Sequence, residues 1–207
     1  MMILLTDVEK IYIAASSILV LLLVVLILCF IYHYTWRKKH YKEVTYMKLS
    51  SLAKHNDYLL LNNYKIDFDD QHVGLIDHIL ISKKYIIVIN DFPISGVISG
   101  ELKSRSLRVI NDKKEISEIN NPLNYNINLI KRLNLYKNID QSFVKGLVVV
   151  NDDAIINISN KSSQFFLIRR KDLSKTIKKF DNDNVKNLNE DSIVKFINIL
   201  NKENKDV

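Results

Sequence analysis

The chain has 207 residues, with 30 Lys and Arg against 23 Asp and Glu, for a formal net charge of +7. Its one cysteine, Cys29, excludes an intrachain disulfide and a cysteine-based zinc centre, and its 5 histidines show no paired metal-ligand spacing. The basic excess favours anionic partners, lipid headgroups or nucleic acid, without choosing between them.

Ile11 to Tyr32 is a run of 22 residues without a formal charge. About 20 residues at roughly 1.5 Å each cross the ~30 Å hydrocarbon layer of a bilayer. A core helix would show a polar face, whereas Ser16 and Ser17 are the only polar side chains between Ile13 and Cys29. A cleavable signal peptide fits poorly, because the run is long, Asp7 and Glu9 precede it and no small-residue cleavage site follows. Lys10 precedes the run, while Arg37, Lys38, Lys39 and Lys42 follow it, so the tail is expected outside and the large domain in the cytoplasm. Trp36, Arg37, Lys38 and Lys39 are the expected membrane-interface residues, with Tyr32 and Tyr34 at headgroup depth. The expected organisation is an extracytoplasmic tail over 1–10, a transmembrane helix over 11–34, a basic juxtamembrane linker over 35–40 and one domain over 41–207. A single-pass protein of the cell membrane, with lipid as a partner, follows from that reading.

Within the domain, Val44, Met47, Leu49 and Leu52 predict an amphipathic helix from Tyr41 to about Ala53. Tyr58–Leu61 and Tyr64–Phe68 predict strands on either side of an Asn62-Asn63 turn, and Gln71–Gly74 predicts a break. Leu75–Ile81 and Tyr85–Ile89 flank Ser82-Lys83-Lys84 and predict a hairpin of two central strands. Val97–Leu102 and Ser106–Ile110 predict further strands, with a turn at Asp112–Lys114. Pro122 fits the first turn of a helix capped by Asn120 or Asn121, with Ile127, Ile130, Leu133 and Leu135 as its stripe. Phe143–Val150 predicts a strand with Gln164–Ile168 as partner, and Lys171–Lys179 and Val185–Leu200 predict helices. This order describes one mixed α/β domain, a β-sheet flanked by helices.

Asp77 stands out because a carboxylate inside an apolar strand is costly without a partner or a task. It is either a functional acid or an edge carboxylate satisfied by a backbone N–H or by His78. The string Ile76-Asp77-His78-Ile79, the strand ending at Asn90, Gly96-Val97-Ile98-Ser99-Gly100, Asn121-Pro122-Leu123 and Val144–Val150 occur in an order that resembles the nuclease-related domain (NERD) family. Lys42-Glu43-Val44 falls where that family has Gly-Glu at the start of its first helix. The resemblance covers about Tyr41 to Ile168 and implies a restriction-endonuclease-like fold of the PD-(D/E)XK kind.

Such nucleases cut nucleic acid with Mg²⁺ held by carboxylates, the ion lowering the pKa of the attacking water. The resemblance assigns Asp77 as first acid and metal ligand, and Glu43 as the helix acid. It also exposes a departure, because the expected Ile-Glu-x-Lys reads Ile89-Asn90-Asp91-Phe92. Asn90 has no charge and Phe92 cannot handle a proton, and Tyr125 stands where a Gln is usual. Two rescues are conceivable: Asp91 through a β-bulge, or the i, i+2 pair Glu101 and Lys103. Without them no cofactor is expected, and Mg²⁺ belongs only to an active enzyme.

Lys103, Arg105 and Arg108 form one basic group, and Arg169, Arg170 and Lys171 begin another; both are candidate phosphate contacts. Arg37–Lys42 is assigned to anionic lipid. The expected function is a membrane-anchored, catalytically degenerate nuclease-related domain that binds DNA, RNA or a protein. The alternatives are an active Mg²⁺-dependent nuclease with a rearranged site, or a membrane scaffold.

Overall fold

A computed structural model describes residues 6–69, 72–137, 140–159 and 162–203. The chain divides into two compact units, Met1–His40 and Tyr41–Val207.

The first unit is one helix, α1 (Asp7–Lys39). Its stretch Tyr12–Arg37 is long and apolar enough to cross a membrane, and every side chain from Tyr12 to Thr35 is exposed. The Ser16 and Ser17 hydroxyls both donate to Ile13 O, at 2.9 and 2.7 Å, and Thr35 donates to Ile31 O at 3.0 Å. These side chains therefore satisfy their own polarity within the helix, as a lipid environment demands. Helix runs through Lys39, so most of the stretch expected as a linker is helical. The Trp36 ring stacks on His40 with centroids 4.9 Å apart, while the Lys38 side chain lies outside the described residues.

The second unit begins with α2 (Tyr41–Asn56), which buries Val44, Thr45, Leu49, Leu52 and Ala53. Met47, expected on the apolar face, is 50% exposed. A five-stranded sheet follows, built from β1 (Leu59–Asp69), β2 (His72–Ile81), β3 (Ile86–Asp91), β7 (Val144–Val150) and β9 (Phe165–Arg169), in that spatial order. β1, β2 and β3 are antiparallel, whereas β7 and β9 run parallel to β3. The predicted hairpin is therefore β2–β3, and both of its strands are interior. The predicted Asn62-Asn63 turn does not occur: β1 is continuous, Asn63 takes φ 54°, and pairing keeps register from Asn62↔His78 to Tyr64↔Ile76. Asn is among the few residues that tolerate this left-handed backbone. The expected break does not occur over 72–74, where β2 already runs from His72; Gln71 lies outside the described residues.

Side chains alternate across β3. Ile86 and Val88 enter a core with Leu129, Ile130 and Leu133 of α3 (Pro122–Lys137) and with Phe196 and Leu200 of α5 (Glu190–Glu203). Ile87 and Ile89 enter a second core with Leu49 and Leu52 of α2 and Leu173, Ile177 and Phe180 of α4 (Leu173–Asp181). The result is a sheet with helices on both faces, as expected for the mixed α/β class. α3 buries Leu123, Asn126, Leu129, Ile130 and Leu133, leaving Ile127 half-buried. Leu135 has its side chain outside the described residues.

A second sheet has the order β6 (Ile116–Asn120), β5 (Ser106–Ile110), β4 (Val97–Glu101), β8 (Ile155–Ser159). Ile98, Leu107 and Val109 join it to Val150 at the end of β7. Its two edge strands, β6 and β8, are largely exposed and carry polar residues, so the strand implied after the Asp112–Lys114 turn has no bounds legible in the sequence and β8 has no signal.

Candidate functional site

Asp77 is 5% exposed, and its charge is compensated. Its Oδ1 accepts from Lys42 Nζ at 2.7 Å, and its Oδ2 accepts from the Asp91 backbone N–H at 2.9 Å. The strand carboxylate thus has both a counter-ion and a backbone donor. Lys42, assigned from sequence to anionic lipid, instead belongs to this site.

Alternation along β3 sends Asn90 and Asp91 to opposite faces. Asn90 turns toward α3, where its Nδ2 donates to Leu75 O at 3.0 Å and its Oδ1 accepts from Asn126 Nδ2 at 2.9 Å. Asn126 is fully buried and also donates to Val88 O at 3.3 Å. Gly146 on β7 makes room for it, since a Cβ there would overlap Asn126 Oδ1 and the Phe165 ring. Asp91 is held on the other side, its Oδ2 3.1 Å from His78 Nε2, while His78 Nδ1 lies 2.7 Å from Asn62 Oδ1. Burial pushes the Asp91 carboxyl above its ordinary value, with His78 and Thr45 pulling partly against that rise. β3 pairs with β7 in regular register through Asp91, so the bulge that would turn this acid toward Asn90 is absent.

Phe92 follows β3, donates its N–H to Val149 O at 2.8 Å and packs near Leu102, Leu123 and Val148. Lys42, Asp77, Asn90, Phe92 and Tyr125 line one cavity of about 400 Å³, which Asp91 also borders. The Tyr125 hydroxyl accepts from Leu75 N at 3.0 Å and donates to Leu75 O at 3.2 Å. A neighbouring cavity of about 430 Å³ is lined by Lys42, Glu43, Asn62, Asp77 and His78, so Glu43 and Asp77 border the same opening. Glu101 is exposed at the end of β4 in the second sheet and Lys103 in the turn after it; neither lines these two cavities.

A hard divalent ion needs several anionic oxygens free to turn toward it. Here both Asp77 oxygens are engaged, Asn90 is neutral with its carbonyl taken, and Asp91 spends Oδ2 on His78, leaving its buried Oδ1 as the one oxygen of these three side chains without a hydrogen bond. Among the described residues, no group of three or more His, Cys, Asp or Glu is placed to hold a metal. The residues present do not fit Mg²⁺.

The Asn121-Pro122-Leu123 motif has a mechanical role. Asn121 is 3% exposed and caps α3, its Oδ1 accepting from Leu123 N at 3.0 Å. Its Nδ2 donates to Leu102 O at 3.0 Å and Ser104 O at 2.9 Å, and Asn124 Nδ2 donates to Ser104 O at 2.7 Å. These bonds fasten the turn between β4 and β5, where Lys103 and Arg105 are exposed, to the helix start that lines the cavity. Arg108 is exposed on β5 but stands opposite Glu118 on β6.

The second basic group is different. Arg170, expected to face phosphate, is 4% exposed, with Nη2 3.2 Å from Asp152 Oδ2. The Arg169 side chain donates to Asp172 at 2.7 Å, leaving Lys171 exposed. Sequence reasoning missed Lys42, Asn121 as a clamp and Asn126. Only Asn121 carried a signal, as the residue before a helix-starting proline.

The NERD nuclease-related domain model matches residues 38–151, more than half of the chain. The chain belongs to the nuclease-related domain family, whose general kind is PD-(D/E)XK-like. Searches of curated proteins and of solved structures found no match.

Proposed function

We propose that this chain is a membrane-anchored nuclease-related domain that binds nucleic acid without cutting it, with the large domain in the cytoplasm. The observation that carries this reading is the basic turn of Lys103 and Arg105, fixed by Asn121 and Asn124 to the rim of the cavity that contains Asp77, Asn90 and Phe92. Phosphate contacts from such a turn orient a strand without reading its bases, so DNA and RNA both suit it. Hydrolysis is lost because Asn90 supplies no charge and is bonded on both amide atoms, and Phe92 cannot handle a proton. Anchoring rests on α1, with Arg37 and Lys39 near anionic headgroups.

The test is titration of single- and double-stranded DNA onto the full chain in lipid nanodiscs at several salt concentrations. Binding should weaken with salt, and Arg105→Ala should reduce the log–log slope by about 1. Absence of salt-sensitive binding would leave a membrane scaffold instead.

A further inference from the structure

The Lys42 side chain has 42% of its surface exposed, whereas that of Asp77 has 8%. The ammonium therefore bridges solvent and a carboxylate that is almost withdrawn from it. It borders both cavities, between Glu43 on one side and Asn90 on the other. Asp77 has no second free oxygen, since the Asp91 N–H holds the other one. An ion arriving from solution would have to break the 2.7 Å ammonium–carboxylate bond and shed water, to gain one Asp77 oxygen, the buried Oδ1 of Asp91 and a neutral amide already in use.

We propose that Lys42 is a tethered cation, standing in place of a divalent ion at Asp77, so that this carboxylate is neutralised with no metal. A buried carboxylate needs a counter-charge whatever the domain binds, and this chain delivers that charge on its own first helix. The hydrogen bond that Lys42 donates to Asp77 raises the Lys42 pKa above its ordinary value. This assignment stands apart from nucleic-acid binding, because it concerns what neutralises the pocket and not what docks beside it.

The experiment compares the full chain in nanodiscs with Lys42→Met, which keeps length and removes charge. Readouts are thermal unfolding in EDTA and in millimolar Mn²⁺, and Mn²⁺ binding by electron paramagnetic resonance. The wild type should unfold at the same temperature with or without Mn²⁺. Lys42→Met should unfold earlier in EDTA, recover part of the loss with Mn²⁺, and bind Mn²⁺ on the order of tenfold or more tighter than wild type. Equal Mn²⁺ binding by the two proteins, or an unchanged unfolding temperature for Lys42→Met in EDTA, would overturn the proposal. If Lys42→Met does not fold, Lys42→Met/Asp77→Asn decides: removing both charges should restore folding, and failure to restore it counts against the proposal. A missing nucleic-acid titration signal would sink the binding function while leaving these results untouched.

Discussion

Replacing Asn121 by Ala should show how strongly one side chain couples the helix start to the basic turn. The substitution removes the cap acceptor for Leu123 N and two donated bonds, to Leu102 O and Ser104 O, at a position that is 3% exposed. Loss of an Asn cap costs about 1 kcal/mol. Each donated bond is worth about 1 kcal/mol net, and more where the carbonyl left behind stays dry. The expected loss is therefore about 2–4 kcal/mol, a large share of the roughly 5–15 kcal/mol that holds a domain together. Urea unfolding of the full chain in detergent, followed by tryptophan-independent far-UV circular dichroism, measures it as a shift in midpoint at constant slope. Asn121→Ser keeps a short cap acceptor but cannot reach the turn, so it should recover about 1 kcal/mol of the loss. A loss below about 0.5 kcal/mol for Asn121→Ala would refute the clamp, because that is the range of featureless surface changes.

Further outcomes follow from the same geometry. Burial raises the Asp91 pKa, so the folded chain holds that proton more tightly than the unfolded one; the stability linked to it is full below the ordinary 3.8 and is lost as pH rises through the folded value. Relative to Asp91→Asn, the wild type should thus lose ground as pH increases from about 4, and a flat difference in denaturation midpoints would contradict this. Gly146→Ala should destabilise by about 1–3 kcal/mol through overlap with Asn126 and Phe165, and an unchanged midpoint would show that Asn126 has room to move. Arg170→Met should cost about 1–3 kcal/mol, because its partner Asp152 keeps 30% of its side-chain surface exposed and loses only part of its compensation. The same variant should leave the salt dependence of DNA binding unchanged, whereas Arg105→Ala should reduce it.

The central hairpin and the start of α3 were legible because their signals are local: two apolar runs around a short polar turn, and a proline one residue after a capping Asn. The edge strands β6 and β8 were not, since their burial is too slight to impose alternation. Asn62-Asn63 looked like a turn for the same reason that Asn63 can sit in a strand at φ 54°, namely tolerance of left-handed backbone. At the site, Asp77, Asn90 and Phe92 could be placed by motif, and the cavity gathers them. Lys42 could not be separated from the basic run Arg37–Lys39, because a charge in sequence does not name its partner. Arg170 failed likewise: its burial depends on Asp152, a contact between the β7–β8 turn and the chain after β9.

Incubating the full chain in nanodiscs with DNA and RNA, in Mg²⁺ or Mn²⁺, tests the central claim most directly. Product should form no faster than with Asp77→Asn under the same conditions. Metal-dependent cutting that disappears in Asp77→Asn would show that a working phosphodiester site survives around Asn90 and Phe92.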